Sequence, residues 1–266
     1  MKNFSPEHKK YLLKIKTYSF YVLISQIGFL LLALLLWEVL ATYGIIDSFI
    51  TSSPSKIMAT IIETFRTGQL GKHILISTYE TIVGFMCGTV LGAIIAIIMW
   101  WSKFLNDVFE PYVVVLNSLP KIALGPIIII WVGTGTASII VMAILVSVVI
   151  TIITMLNGFY QTNANKILLL KTMNASKLQI FTKLVFPTNI PTLVATLKIN
   201  VGMAWVGTIM GEYLVSKAGL GYLIVYGGQV FKLDLVMACT IILCLLAGIM
   251  YFLVALLEKA IVKWKE

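Results

Sequence analysis

The stretch TASIIVMAILVSVVITIITML, residues 136–156, contains no charged side chain and consists of aliphatic, small and hydroxyl-bearing residues with two methionines. An α-helix rises about 1.5 Å per residue, so about 20 residues span the roughly 30 Å hydrocarbon core of a bilayer. We therefore predict that residues 136–156 form a helix that crosses a membrane.

The composition of the whole chain of 266 residues supports the same class of protein. Apolar residues make up 59% and charged residues 12%, whereas soluble domains contain about 25% charged residues. A soluble globule of this size could not bury so much apolar surface. The composition excludes a disordered chain, a disulfide scaffold and a soluble enzyme, and it indicates a polytopic membrane protein.

Six apolar runs along the chain are each long enough to cross a bilayer. Pro120 and Pro126 interrupt the third run, and Pro187 and Pro191 open the fifth. The fold class predicted from these runs is an all-α integral membrane protein with six transmembrane helices. The predicted spans are residues 20–43, 74–101, 108–132, 136–156, 184–213 and 233–257.

The polar stretch after the first span predicts a short helix on the membrane surface. Ser53 supplies an N-cap and Pro54 the first helical position, a combination typical of a helix start. Its apolar face consists of Ile57, Ile61, Ile62 and Phe65.

The expected organisation has four parts. Residues 1–19 form a cytoplasmic N-terminal tail, and residues 20–72 hold the first span and the outer surface helix. Residues 73–262 form the core with spans two to six, and residues 263–266 form a cytoplasmic tail.

The distribution of lysines predicts the orientation. The net charge is +9, but the lysines cluster between apolar runs, which indicates membrane orientation and not nucleic-acid binding. With the N-terminus in the cytoplasm, thirteen Lys or Arg residues lie inside and five outside. Because cytoplasmic loops are richer in these residues, both termini are predicted to be cytoplasmic.

The segment between spans four and five is polar and rich in lysine. It reads NKILLLKTMNASKLQIFTKLVFPTNIP over residues 165–191 and predicts two short helices. One covers residues 166–173 and the second begins near Ala175–Ser176. Asn174 lies at the break, where its tolerance of left-handed backbone suits a sharp helix end. The segment is apolar enough to dock on a partner, although composition alone is equally consistent with a solvated interfacial loop.

This segment resembles the coupling segment of ABC importer permeases, whose pattern is Glu-Ala-Ala, three residues, Gly, and later a hydrophobic element that ends in Pro. Asn174 occupies the Gly position, and Leu-Val-Phe-Pro at 184–187 matches the closing element. The Glu-Ala-Ala position falls on Leu168, Leu169 and Leu170, so this chain lacks the family's Glu.

Further motifs resemble a narrower group, the permeases of the nitrate/sulfonate/taurine uptake class. Order and spacing agree across about residues 75–262. The motifs are LPKIALGP at 119–126, WVGTG at 131–135, AWVG at 204–207, GE at 211–212 and GLGYLI at 219–224.

The resemblance implies a type I ABC importer permease-like fold with a cytoplasmic coupling helix between spans four and five, in a bacterial cell membrane. The implied partners are a second copy of the chain, two ABC ATPase subunits, an extracytoplasmic substrate-binding protein and the lipid bilayer, with no nucleic acid. The implied ATPase-coupling residues are Leu168, Leu169, Leu170, Lys171, Asn174, Ala175, Ser176 and Lys177.

Two glycine stripes with a spacing of four predict close helix packing. Gly84, Gly88 and Gly92 lie on the second span, and Gly207 and Gly211 lie on the fifth. Packing within the chain and contact between two copies are equally consistent with this spacing.

Ionisable residues within apolar spans need water or a partner. Lys121 follows a helix-breaking proline, a context typical of backbone that lines a cavity. A structural ion pair or a snorkelling side chain are the alternatives. We expect Glu38 and Glu80 near the outer interface, and Lys198 in a structural role or near the inner mouth. The candidate residues of the translocation path are Lys121, Asn200, Met203, Trp205 and Glu212.

A cationic lysine near the path favours an anionic solute, although the resembled class also imports neutral vitamin precursors. The sequence contains no P-loop motif and no catalytic constellation, so we expect no enzymatic activity and no cofactor in this chain. ATP and Mg would be bound by the partner ATPase. The rival functions are a secondary carrier driven by an ion gradient, a membrane scaffold and a membrane enzyme.

Overall fold

The computed structural model describes residues 6–261, and this part of the chain is helical with no β-strand. Two helical turns of other types, Lys121–Leu124 (3-10) and Phe181–Val185 (π), interrupt the α-helices. The α-helices are α1 Pro6–Thr42, α2 Ser48–Thr51, α3 Pro54–Arg66, α4 Gln69–Trp101, α5 Lys103–Ser118, α6 Gly125–Val132, α7 Thr136–Tyr160, α8 Ala164–Thr172, α9 Lys177–Ile180, α10 Phe186–Thr188, α11 Ile190–Val215, α12 Leu220–Gln229 and α13 Leu233–Ile261.

Within residues 6–261, five helices are long and apolar enough to cross a membrane: α1, α4, α7, α11 and α13. The third predicted span differs, because α5 and the Lys121–Val132 segment meet at an angle of 97°. Leu119 adopts extended backbone before Pro120, which ends α5, since a residue before proline disfavours the helical conformation. Pro126 lies in the first turn of α6, where proline is tolerated, and does not interrupt it.

The first helix begins at Pro6, within the residues expected to form a polar N-terminal tail. The rest of that tail and the expected C-terminal tail, residues 263–266, lie outside the described residues. All described side chains between residues 13 and 36 are exposed. Near its other end α1 meets α3, where the Glu38 carboxylate accepts hydrogen bonds from Ser55 N (2.9 Å) and Ser55 Oγ (2.7 Å).

The surface helix is present as α3. Pro54 is its first residue, and Lys56 N donates to the Ser53 side chain at 3.4 Å. Of the predicted apolar face, Ile57 is buried, whereas Ile62 and Phe65 remain exposed. Ile57 therefore packs on the protein, whereas Ile62 and Phe65 point away from it.

The centre of the bundle is α7, which packs between α4 and α11. Both predicted glycine stripes face it. A Cβ added at Gly88 would lie 2.7 Å from Ser147 Cβ, and one added at Gly207 would lie 2.6 Å from Ala143 Cα. The three helices approach so closely because the stripes carry no side chains. In this chain the stripes serve intrachain packing; their facing residues on α7 are Ile139, Ala143, Ser147 and Thr151.

Helix α12 is formed by the Gly-rich segment after the fifth span. It packs on α13 and against the first part of α4. Leu70, Leu220, Leu223, Cys239 and Ile242 form a buried cluster where these helices meet.

Candidate functional site

The first part of the segment between α7 and α11 folds as two short helices, α8 and α9, as its sequence predicts. Asn163 caps α8 by accepting from Asn165 N at 2.9 Å. Asn174 then adopts φ +58°, in the left-handed region, and the chain turns sharply. Ser176 opens α9 with a capping box, in which Ser176 N donates to Gln179 Oε1 at 2.8 Å and Gln179 N donates to Ser176 Oγ at 3.3 Å.

Four large apolar side chains of this segment point away from the protein. Leu168 and Leu169 are each 60% exposed, Met173 71% and Leu178 58%. We call these four residues the coupling surface. Leu170 is half-buried and packs against a buried apolar cluster that includes Phe159 and Phe181. An exposed apolar patch with polar surroundings is typical of a protein interaction site.

The other side of the segment is joined to α4 through aromatic packing. The Phe181 ring lies 5.0 Å from the Trp100 ring and 5.7 Å from the Phe159 ring, measured between centroids. Lys177 Nζ donates to the Trp101 carbonyl and lies 5.5 Å from the Trp100 ring centroid. Lys177, predicted as an ATPase-coupling residue, is therefore attached to the end of α4.

The entry to the fifth span is more broken than the sequence predicts. A π-helical turn and the short α10 precede α11, which begins at Ile190 and not at residue 184. Pro187 and Pro191 each lie in the first turn of a helix, because proline lacks the N–H that a helix interior requires. Asn189 supports the junction, since its side chain donates to Val185 O at 2.8 Å and to Thr162 Oγ1 at 2.9 Å.

Two candidate path residues are enclosed within this chain. Asn200 is fully buried and donates to Thr89 Oγ1 (3.0 Å) and Thr151 Oγ1 (2.6 Å), which links α11 to α4 and α7. Trp205 is buried in a cluster with Phe85 and Val254. We expected both side chains to face the path, but in this chain they face neighbouring helices. Helical periodicity alone does not distinguish a face turned to a neighbouring helix from one turned to a pore.

Glu212 is also buried, and it holds the start of α12. Its carboxylate accepts from Ser77 Oγ and from Gly221 N, each at 2.5 Å. Leu220 N donates to Ser77 Oγ at 2.8 Å, and Gly219 N donates to His73 Nδ1 at 2.8 Å. Three successive N–H groups at the N-terminus of α12 are thus satisfied by side chains of α4 and α11, and an acid at this end complements the helix dipole.

Glu80 is enclosed by the helices of the bundle. Its predicted position near the outer interface stays a prediction, since burial between helices does not give the depth in a membrane. Its carboxyl group faces Thr136 and Glu212. It therefore lies in the same polar region as Ser77 and Glu212, which hold the start of α12.

The remaining two candidate path residues are Lys121 and Met203, and both are half-buried in this chain. Lys121 opens the turn at the 97° bend, and its Nζ donates to Asn117 O at 3.1 Å. Lys198 forms an ion pair with Glu258, which joins α11 to α13. This pairing is compatible with the structural role expected for Lys198.

The family described as "Binding-protein-dependent transport system inner membrane component" matches residues 88–263. The chain belongs to this family. It is a multi-pass membrane permease of the binding-protein-dependent ABC importer class, as the sequence motifs predict.

The permease is similar to several curated transport proteins over most of its length. A putative aliphatic sulfonates transport permease protein of Bacillus subtilis is 28% identical over 90% of this chain and 87% of that protein. A formylaminopyrimidine transport permease protein of Halalkalibacterium halodurans is 27% identical over 90% and 94%. The taurine transport system permease protein of Escherichia coli is 21% identical over 90% and 89%.

Solved structures show the same fold at low sequence identity. The inward-facing MetNI methionine ABC transporter matches with a TM-score of 0.66 and 18% identity, covering 74% of the permease and 97% of that chain. A bacterial ABC transporter that imports alginate matches with a TM-score of 0.65 and 13% identity, covering 93% and 99%. These matches confirm the type I importer fold.

Proposed function

We propose that the permease moves a small anionic solute into the cell as part of an ATP-driven importer. The sulfonate and taurine permeases among its relatives support this solute class. Lys121 supports it too, because a cation at a broken span offers a favourable contact to an anion. Sulfonates and ions such as nitrate or bicarbonate have the required charge and size, and taurine presents the same negative sulfonate group within a zwitterion.

A vitamin-like solute is the second candidate. Relatives named for formylaminopyrimidine transport and, in Chloroflexus aurantiacus, riboflavin transport support it. Such solutes carry rings and hydrogen-bonding groups in place of a compact anionic group.

The proposed assembly contains two copies of the permease, two ATPase subunits and an external binding protein. The coupling surface carries this proposal, since four exposed apolar side chains lie in the segment that matches the family's docking element. ATP and Mg would be bound by the ATPases. The excess of Lys and Arg on one side of the predicted spans supports a cytoplasmic position for the coupling segment and both termini.

The mechanism requires that ATPase movement reaches the membrane helices. Lys177 attaches α9 to the end of α4, and the π-helical turn leads from α9 to α11. A push on the coupling surface would move both helices together. ATP and the loaded binding protein would bias the same equilibrium between outward and inward access.

Co-purification of the ATPase tests the assembly. In Leu168→Asp with Leu169→Asp, two charges replace the centre of the coupling surface, and we expect the ATPase to be lost from the detergent-solubilised complex. Asn165→Asp is the matched control, because it adds a negative charge to α8 outside the surface. If the double variant retains the ATPase, or no ATPase accompanies the folded parent, the proposal fails and uptake driven by an ion gradient is tested instead.

Uptake into proteoliposomes that contain the whole transporter and its binding protein tests the solute class. Taurine and a formylaminopyrimidine are the two probes. We expect Lys121→Gln to lower taurine uptake, whereas Lys103→Gln, an exposed lysine on α5, leaves it unchanged. Uptake of the pyrimidine alone would favour the vitamin-like candidate.

A further inference from the structure

A cavity of about 450 Å³ lies beside the start of α12, separate from the coupling surface and from the bend at Lys121. It is bounded by the first turns of α4, by the connection between α11 and α12, and by α12 itself. The lining residues with polar groups are Gln69, Lys72, His73, Lys217, Tyr222 and Tyr226. Among the residues that the structure describes, no Asp or Glu lines it.

The two lysines of this cavity have no acidic partner. Lys72 and Lys217 are exposed, and neither takes part in an ion pair with any residue between 6 and 261. Two cations on one small cavity repel each other unless an anion lies between them. The nearby acid Glu212 does not serve as their partner, because it is buried and accepts hydrogen bonds from Ser77 and Gly221.

His73 supplies a further donor whose orientation the structure fixes. Its Nδ1 accepts a hydrogen bond from Gly219 N at 2.8 Å. In the neutral ring the proton therefore resides on Nε2, which makes Nε2 a hydrogen-bond donor. No hydrogen bond occupies Nε2 within the described part of the chain.

Stacked rings make the wall of the cavity rigid. The His73 and Tyr222 rings lie 6.0 Å apart with an interplanar angle of 14°, and Tyr222 and Tyr226 lie 6.2 Å apart at 19°. The Gly219 bond holds the ring at the end of this stack. Donors held in place before binding lose less conformational entropy when a ligand arrives.

The adjacent cleft has the opposite character. It measures about 640 Å³, shares Gln69, Leu223 and Tyr226 with the cavity, and contains Asp47, Glu63 and Asp234 beside two lysines. Positive charge without acid is therefore specific to the smaller cavity.

We infer that this cavity binds a small oxyanion group, a sulfonate, carboxylate or phosphate, between Lys72, Lys217 and His73. The group can belong to a soluble ion or to the headgroup of an anionic lipid. The placement of the cavity at the outer face rests on the proposed orientation, but binding of the anion does not.

Direct binding to the full-length permease tests this inference without transport. The protein is placed in nanodiscs of zwitterionic phosphatidylcholine, and radiolabelled taurine and inorganic phosphate are titrated separately. We expect saturable binding of at least one probe. Lys72→Gln with Lys217→Gln should weaken it by about tenfold or more, since two charge-assisted contacts are removed.

Lys232→Gln is the matched control, because it removes an exposed lysine from the adjacent cleft. It should leave binding unchanged, and thermal unfolding verifies that every variant is folded. Competition by phosphatidylglycerol in the nanodiscs would identify the anion as a lipid headgroup and support the site. Absence of binding in the parent, or equal binding in the double variant, would overturn the inference, while loss of ATPase co-purification bears only on the proposed assembly.

Discussion

The Ser77 hydroxyl of α4 joins two other helices, because it donates to Glu212 of α11 at 2.5 Å and accepts from Leu220 N of α12 at 2.8 Å. Glu212 in turn accepts from Gly221 N. The start of α12 is thereby fixed to two spans of the bundle. Such buried, charge-assisted contacts are among the stronger single interactions in proteins.

We predict that Glu212→Gln lowers the stability of the permease by about 1.5–3 kcal/mol, the usual contribution of hydrogen bonds to a charged group. The amide NH2 would face one of the two donors that the carboxylate now satisfies. The thermal unfolding midpoint in detergent measures the effect. Glu63→Gln, on the exposed side of α3, is the control, and equal midpoints for both variants would contradict the prediction.

Gly88→Leu should disrupt the contact between α4 and α7. An added Cβ would lie 2.7 Å from Ser147 Cβ and 3.1 Å from the Ile144 carbonyl oxygen. Overpacking of this kind costs about 1–3 kcal/mol or more. The yield of monodisperse protein and its unfolding midpoint should both fall.

The same substitution at Gly248 is the control, since no atom lies within 4 Å of a Cβ added there. Gly248→Leu should behave as the parent does. A normal unfolding midpoint for Gly88→Leu would show that α4 and α7 separate more easily than this packing allows.

Asn174→Val should destabilise the turn between α8 and α9 by about 1–2 kcal/mol, because left-handed backbone crowds a side chain with Cβ branching. Asn174→Gly should be neutral, since glycine adopts this φ freely. Hydrogen exchange of the Ala175 amide, which bonds to Leu170 O at 3.0 Å, reports on the turn. Equal exchange in the two variants would argue against backbone strain at this position.

Lys177→Met should loosen α9 from the end of α4. The substitution removes the bond to the Trp101 carbonyl and the charge beside the two tryptophan rings. Because exposed cation–π contacts contribute about 0.5–1 kcal/mol, amide exchange in α9 should rise about two- to fivefold. Lys177→Arg keeps the cation and should exchange as the parent does. Lys171→Met, an exposed lysine of the same segment, is a second control, and faster exchange in that variant as well would remove the special role of Lys177.

Local features of the fold could be predicted from the sequence. The cap of α3 at Ser53, the break at Asn174 and the end of α5 before Pro120 depend on neighbours in the chain, so residue type and spacing suffice. The glycine spacing also predicts close packing, although not which helix it meets.

Contacts between distant segments could not be predicted. His73 and Ser77 are ordinary polar residues at the start of a span, and only the folded chain places them against residues 219–221. Asn200 fits a path-lining position by its polarity alone, yet its neighbours in space are Thr89 and Thr151. In both cases the register between two helices determines which side chains meet. The residue pattern within a single helix does not determine that register.

The first helix is held to the rest of the permease near one end, where Glu38 meets Ser55, while the side chains over residues 13–36 touch no core. Because packing against neighbouring helices and interfacial anchors set the tilt of a membrane helix, the orientation of α1 within residues 6–261 depends on the contacts near Glu38. Residues 13–36 of α1 accordingly contribute little to the packing of α4, α7 and α11 in this chain.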